Sequence, residues 1–168
     1  MIFISTGTFP IPFKRLINTT INYYKDKPKH KVIIQSGTMH VKSSAKHIII
    51  KSYFPFKQTL RLYQQAELNI SAAGEATALL LLKHSKNMPI FFPRLKKYQE
   101  HVDNIQLQTC EFLRRKKLAK IAITTKQLQS KLSEKLIPNQ AEKYFSKQHA
   151  SFNHLITKLS QITENLKI

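Results

Sequence analysis

The chain opens on an apolar run, Ile2-Phe3-Ile4-Ser5, that stops at Thr6-Gly7-Thr8. A short apolar run closed by turn residues predicts a buried strand. The same signature recurs at Val32-Ile33-Ile34, Ile48-Ile49-Ile50, Leu68-Asn69-Ile70-Ser71, Pro89-Ile90-Phe91-Phe92 and Lys120-Ile121-Ala122-Ile123. Between these runs the apolar positions fall at helical spacing. Phe13, Leu16, Ile17, Ile21 and Tyr24 mark one helix, and Phe56–Ala66, Ala76–His84, Val102–Arg115 and Lys126–Leu136 mark four more. The strands show no apolar/polar alternation, so both of their faces are expected to be covered. Strands of this kind alternating with helices predict a doubly wound parallel α/β sheet over residues 1–137.

Pro138 ends that pattern. Beyond it Phe145, Phe152, Leu155, Leu159, Ile162 and Leu166 form a short heptad-like stripe, so residues 138–168 are expected to be an amphipathic helical tail. The stripe packs either on its own domain or on another chain.

Composition sharpens the picture through charge. Of 168 residues 42% are hydrophobic, enough for a core, but Lys+Arg number 28 against 9 Asp+Glu, a formal net charge of +19. The excess is spread over both halves of the chain. Such a surface favours polyanionic company: nucleic acid, an anionic membrane leaflet, or diphosphate-bearing small molecules. Ordinary solvated lysines are the plainer alternative. Against nucleic acid, the chain has no recognised binding motif and no basic strand with interleaved aromatics. Cys110, the single cysteine, cannot form an internal disulfide, which fits a reducing cytoplasm. Met1–Thr8 is too short for a secretion signal, and the longest apolar run, Ala76–Leu82, falls far below the ~20 residues that span a bilayer. The protein is expected to be cytoplasmic, soluble or peripheral.

The chain's three glycines, Gly7, Gly37 and Gly74, each follow a predicted strand within a few residues. Ligands of open parallel sheets bind outside the carboxyl ends of the strands, where glycine permits tight turns and close approach. Ser71-Ala72-Ala73-Gly74-Glu75-Ala76-Thr77 places small residues between a strand and a helix start, a setting whose free N–H groups suit a diphosphate. G-x-G-x-x-G and Walker lysine motifs are absent. A second polar cluster follows the fifth strand and holds Arg94, Glu100, His101, Asp103, Asn104 and Gln106. Its acidic and amide groups can hydrogen-bond ribose or sugar hydroxyls, and its Arg can meet phosphate. The candidate substrate-binding set is Gly7, Thr8, Gln35, Gly37, Ser71, Gly74, Glu75, Thr77, Arg94, Glu100, Asp103, Asn104 and Gln106. His101 is the local candidate for catalysis. His40 and His47, in a polar loop, have no assigned role.

Phe3-Ile4-Ser5-Thr6-Gly7-Thr8, Phe13 with Arg15-Leu16, Gln35-Ser36-Gly37, the strand and helix of Ala66–Thr77, and Pro89…Pro93-Arg94…Glu100-His101-Val102-Asp103-Asn104…Gln106 run in order along the chain. In these pieces the sequence resembles the carboxyl-terminal domain of family 28 glycosyltransferases, the MurG type with a GT-B fold. It is most similar to stand-alone donor subunits: bacterial PssE-like proteins and the catalytic subunit of the eukaryotic dolichol-linked N-acetylglucosaminyltransferase. The resemblance implies a Rossmann-like half of a GT-B enzyme that binds a UDP-sugar against Gly74–Thr77 and the Arg94–Gln106 loop. It implies no cofactor and no metal. It also implies a membrane-attached, PssD-like acceptor-binding partner, a polyprenyl-diphosphate-linked acceptor, and a place at the inner, anionic face of the membrane. The chain departs from the family's pattern at Ala72, Ala76, Leu80 and Ile105. Those departures keep open a second function, a non-catalytic binding or scaffold subunit. A basic nucleic-acid-binding module is the third.

Overall fold

The computed structural model describes residues 1–146. Its strands are β1 (Ile2–Ser5), β2 (Val32–Gln35), β3 (Ile48–Lys51), β4 (Leu68–Ser71), β5 (Ile90–Phe91) and β6 (Lys120–Ile121). Its helices are α1 (Lys14–Tyr24), α2 (Phe56–Gln65), α3 (Glu75–His84), α4 (Ile105–Arg115), α5 (Thr125–Leu132) and α6 (Ala141–Ser146). The strands form one parallel sheet in the order β3-β2-β1-β4-β5-β6. β1 is central, paired to β2 on one side and β4 on the other. This is the doubly wound arrangement expected from the sequence.

Because neighbouring side chains of a strand point to opposite faces, β1 feeds two cores. Ile2 and Ile4 join a cluster with Leu16, Ile17 and Leu128, beneath α1 and α5. Phe3 joins another with Tyr63, Leu81, Leu82 and Leu113, beneath α2, α3 and α4. All four residues of β1, β2 and β4 are buried, including the polar Ser5, Gln35, Asn69 and Ser71 that interrupt or end their apolar runs.

The element boundaries shift where local hydrogen bonding decides them. β5 and β6 are two-residue strands, shorter than the apolar runs that announce them. α4 begins at Ile105 rather than Val102, because Asp103 Oδ1 accepts the Ile105 N–H at 3.0 Å and holds the preceding residues in a turn. α5 starts on a capping box between Thr124 and Gln127 and ends at Leu132 rather than Leu136. No helix among the described residues is long and apolar enough to cross a membrane.

The change of organisation expected after residue 137 finds no break in packing up to residue 146. Pro138 pairs with Asn87 in an antiparallel bridge. Asn139 Nδ2 donates to the carbonyls of Leu82 and Ser85 at 2.8 and 2.9 Å. Ala141 is 1% exposed within the second core. Of the tail stripe, Phe152, Leu155, Leu159, Ile162 and Leu166 lie outside the described residues.

Candidate functional site

β1 and β4 are neighbours, yet the chain leaves their carboxyl ends in different directions: α1 leads on to β2, and α3 leads on to β5. Their loops therefore part and leave a crevice at the switch point of the sheet. It is a cavity of about 380 Å³. One wall is Thr6 to Pro10, the opposite wall Ala72 and Gly74 to Thr77, and Arg94, His101 and Gln106 close the back.

The first wall depends on Gly7. It has φ +73°, a left-handed conformation that favours glycine. Its N–H donates to Ser5 Oγ at 3.2 Å and its carbonyl accepts from Gln35 Nε2 at 3.4 Å. Gly37 backs this turn: with φ +62°, a Cβ there would sit 2.9 Å from Thr6 Oγ1. The opposite wall is the first turn of α3, which has Gly74 at its N-cap and no side-chain cap. The N–H groups of Glu75, Ala76 and Thr77 thus begin the helix beside the cavity, at the positive end of its dipole.

The back is a buried hydrogen-bonded frame. Gln106 Oε1 accepts from Ala73 N at 3.1 Å and from Arg94 N at 3.0 Å, tying the loop after β4 to the loop after β5. Arg94 is 1% exposed. Its Nη1 donates to the Ile11 and Glu100 carbonyls at 2.6 and 3.2 Å, and Nη2 to the Thr6 carbonyl at 3.0 Å. Nε has no partner among the described residues. The guanidinium lies 4.5 Å from the Phe13 ring centroid. Burial pulls its pKa down to about 10, against the opposing pull of Glu100, and leaves it charged at neutral pH. A cation here is a fixed positive charge at the back of the cavity.

Glu100 is turned to a different task. Its Oε1 accepts from Arg15 Nε at 2.9 Å and its Oε2 from Arg15 Nη2 at 2.7 Å. Oε2 also takes the Leu95 N–H at 3.1 Å. Arg15 in turn donates to the Pro93 and Ile123 carbonyls at 2.8 and 2.7 Å, and lies over Phe92 at 4.0 Å and Tyr98 at 4.6 Å. The pair ties α1 to the loops after β5 and β6, and Glu100 does not line the cavity. His101 does. Its ring stacks on Phe9 at 4.2 Å, and Nδ1 lies 2.8 Å from Asp103 Oδ1. Asp103 meets Nδ1 twice: its carboxylate accepts when Nδ1 carries the proton, which leaves Nε2 as the acceptor, and its N–H, 3.3 Å away, donates when Nδ1 does not. Asp103 itself is exposed, and the Ile105 N–H foremost holds its pKa below the usual carboxylate range.

Of the residues singled out from the sequence, Gly7, Thr8, Gly74, Glu75, Thr77, Arg94, His101 and Gln106 come together around the cavity. Gln35, Gly37, Ser71, Glu100, Asp103 and Asn104 support it instead. Ser71 Oγ donates to the Ser5 carbonyl, and Asn104 Oδ1 accepts the Lys96 N–H. Thr6, Phe9 and Pro10 are lining residues that sequence reasoning missed; the aromatic directly after Gly7-Thr8 was the available signal. Ala72 and Ala76 line the cavity and Ile105 borders an adjoining one, whereas Leu80 packs on the second core. Among the described residues no group of three or more His, Cys, Asp or Glu side chains is placed to hold a metal.

The family model for the glycosyltransferase family 28 C-terminal domain matches residues 1–164. The chain belongs to this family. It is thus a glycosyltransferase domain of the GT-B type, and solved structures agree on the fold. Acinetobacter baumannii MurG is 21% identical, with a TM-score of 0.58 over 95% of this chain and 49% of that one. The glycotransferase of kitacinnamycin is 13% identical, with a TM-score of 0.59 over 77% of this chain and 32% of that one. This family 28 domain therefore spans about half the length of the first protein and a third of the second. No curated protein matches it in sequence.

Proposed function

We propose that this chain is the donor-binding half of a two-component glycosyltransferase and takes a UDP-sugar in the β1/β4 cavity. The observation that carries the reading is the uncapped start of α3 facing buried Arg94 across a crevice at the switch point of the sheet. Backbone donors, a helix dipole and a fixed cation together suit a diphosphate. They also suit the negative charge that develops on a departing nucleoside diphosphate, so the reaction would need no metal and no other cofactor. The acceptor half would be a separate, PssD-like membrane-attached subunit presenting a polyprenyl-diphosphate-linked sugar, with the complex on the anionic inner face of the membrane. The tail stripe from Phe145 to Leu166 is the proposed contact to that subunit.

A glycosyl transfer requires removal of the acceptor hydroxyl proton. We place that base on the acceptor half, with His101, oriented by Asp103, as the local alternative. The purified chain should then transfer no labelled sugar to a lipid-linked acceptor by itself; transfer by the chain alone would put the base at His101. A second reading has its own support. Leu80 packs on the core at the position where many family members carry an acidic ribose contact, which suits a non-catalytic binding subunit.

Titration calorimetry with UDP tests the donor site. Ala76→Asp adds a carboxylate to the first turn of α3, where the helix dipole tolerates it, but directly beside the proposed diphosphate. The variant should keep its melting temperature and bind UDP at least ~10-fold more weakly, a cost of ~1.4 kcal/mol. Equal affinity in variant and wild type would remove the donor from this cavity.

A further inference from the structure

The stretch from Lys27 to Ala66 contains no Asp or Glu, while Lys42, Lys46, Lys51, Lys57 and Arg61 follow one another along it. It builds β2, β3 and α2, the β3 flank of the sheet. At the carboxyl ends of β2 and β3, sharing no lining residue with the donor cavity, lies a second cavity of about 350 Å³. Its polar lining is Ser36, Ser52, His40, Lys42 and Lys51, with no carboxylate among the described residues. Neither lysine forms an ion pair among the described residues, and the Lys51 ammonium rests 5.6 Å from the Phe54 ring centroid. The remaining lining is aliphatic: Met39, Val41 and Ile50, each packed on the first core.

The loop that forms this cavity is held in place. Thr38 Oγ1 donates to the Pro10 carbonyl at 2.7 Å, and Met39 N to the Ser36 carbonyl at 3.2 Å. Ala45 N donates to Ser43 Oγ at 3.2 Å. Cations and hydroxyls around a preformed hollow favour an anion. The aliphatic floor narrows the choice, since a nucleic acid backbone would use the lysines and leave Met39, Val41 and Ile50 idle. Both halves of the lining are used by a phosphoryl group attached to an apolar chain.

We propose that the β2–β3 cavity is a second binding site, for the phosphoryl head and first chain segment of a lipid phosphate. Lys42 and Lys51 meet the phosphoryl oxygens, and Met39, Val41 and Ile50 meet the chain. This chemistry is shared by a lipid-linked diphosphate and by an anionic phospholipid. In the first case the inference rests on the acceptor reading above; the cavity itself is independent of the donor site.

The test titrates three probes into the full chain with UDP present: farnesyl diphosphate below its micellar concentration, inorganic pyrophosphate, and phosphatidylcholine vesicles with and without phosphatidylglycerol. Farnesyl diphosphate should bind more tightly than pyrophosphate. Lys42→Glu with Lys51→Glu, both exposed, should weaken it at least ~10-fold and leave UDP affinity unchanged, whereas Ala76→Asp should do the reverse. Met39→Ser should weaken farnesyl diphosphate and spare pyrophosphate. Lysine-dependent binding of the anionic vesicles without binding of farnesyl diphosphate would assign the same site to a bilayer headgroup. The proposal is overturned if the double lysine variant binds both lipid probes like wild type, or if wild type binds neither of them. Failure of wild type to bind UDP would strike the donor reading alone.

Discussion

Glu100 and Arg15 stand 85 positions apart in the sequence and close a two-bonded ion pair in the fold. Their side chains are 5% and 12% exposed, so removing one charge strands the other away from water. Glu100→Gln should therefore lower stability by about 3 kcal/mol in urea unfolding. Near wild-type stability would show that Arg15's carbonyl and ring partners suffice without the carboxylate. In sequence, Glu100 reads as a polar loop residue available to ribose, because composition cannot reveal a partner on α1. Arg94 is the converse case: sequence places a cation near phosphate, and the fold does put it at the cavity while spending most of its donors on backbone carbonyls. Asp103 shows how one side chain moves a boundary. Its bond to the Ile105 N–H delays α4 by three residues beyond what apolar spacing indicates.

Between elements, the connection that matters most to the cavity is Gln106. This first-turn residue of α4 takes one N–H from the β4 loop and one from the β5 loop, all in a buried setting. Gln106→Leu would leave both donors without an acceptor, at about 1–3 kcal/mol each. Gln106→Glu keeps an acceptor of the same shape and should restore most of that stability. It also brings a negative charge to the cavity, so it should bind UDP more weakly than wild type despite its recovered melting temperature. If Glu and Leu destabilise alike, the amide's own protons matter and the two-loop tie is not the stabilising feature. The strand–helix alternation was legible because β1 and β2 open on three apolar residues in a row, which leaves neither face for water, and the start of α3 because small residues crowd Ser71–Ala76. The Phe9 wall was not: an aromatic before Pro10 reads as the start of a turn until His101, far along the chain, is seen stacked on it.

At the scale of the whole molecule, the sequence placed a division after residue 137, since Pro138 interrupts the strand–helix pattern and an apolar stripe of different period follows. Up to residue 146 the fold runs on without a seam. Asn139 caps the end of α3 by donating to the Leu82 and Ser85 carbonyls, Met88 N donates to the Ile137 carbonyl at 2.7 Å, and Ala141 is buried. These bonds are invisible in sequence because one asparagine after a proline carries no trace of the helix end that it will meet. They lead to opposite expectations for two truncations. A chain ending at 146 keeps every contact just named. A chain ending at 137 loses the two Asn139 hydrogen bonds, at about 1 kcal/mol each, and uncovers the second core where Ala141 lies, with about another 1 kcal/mol of apolar burial. The shorter chain should thus be less stable than the longer by about 3 kcal/mol in urea unfolding, with both still folding. Coincident unfolding curves would mean that the domain ends at 137 after all and that α6 is an appendage. A separation of the predicted size would make residues 138–146 part of the domain, and would leave only the stripe from Phe152 to Leu166 as a tail separate from it.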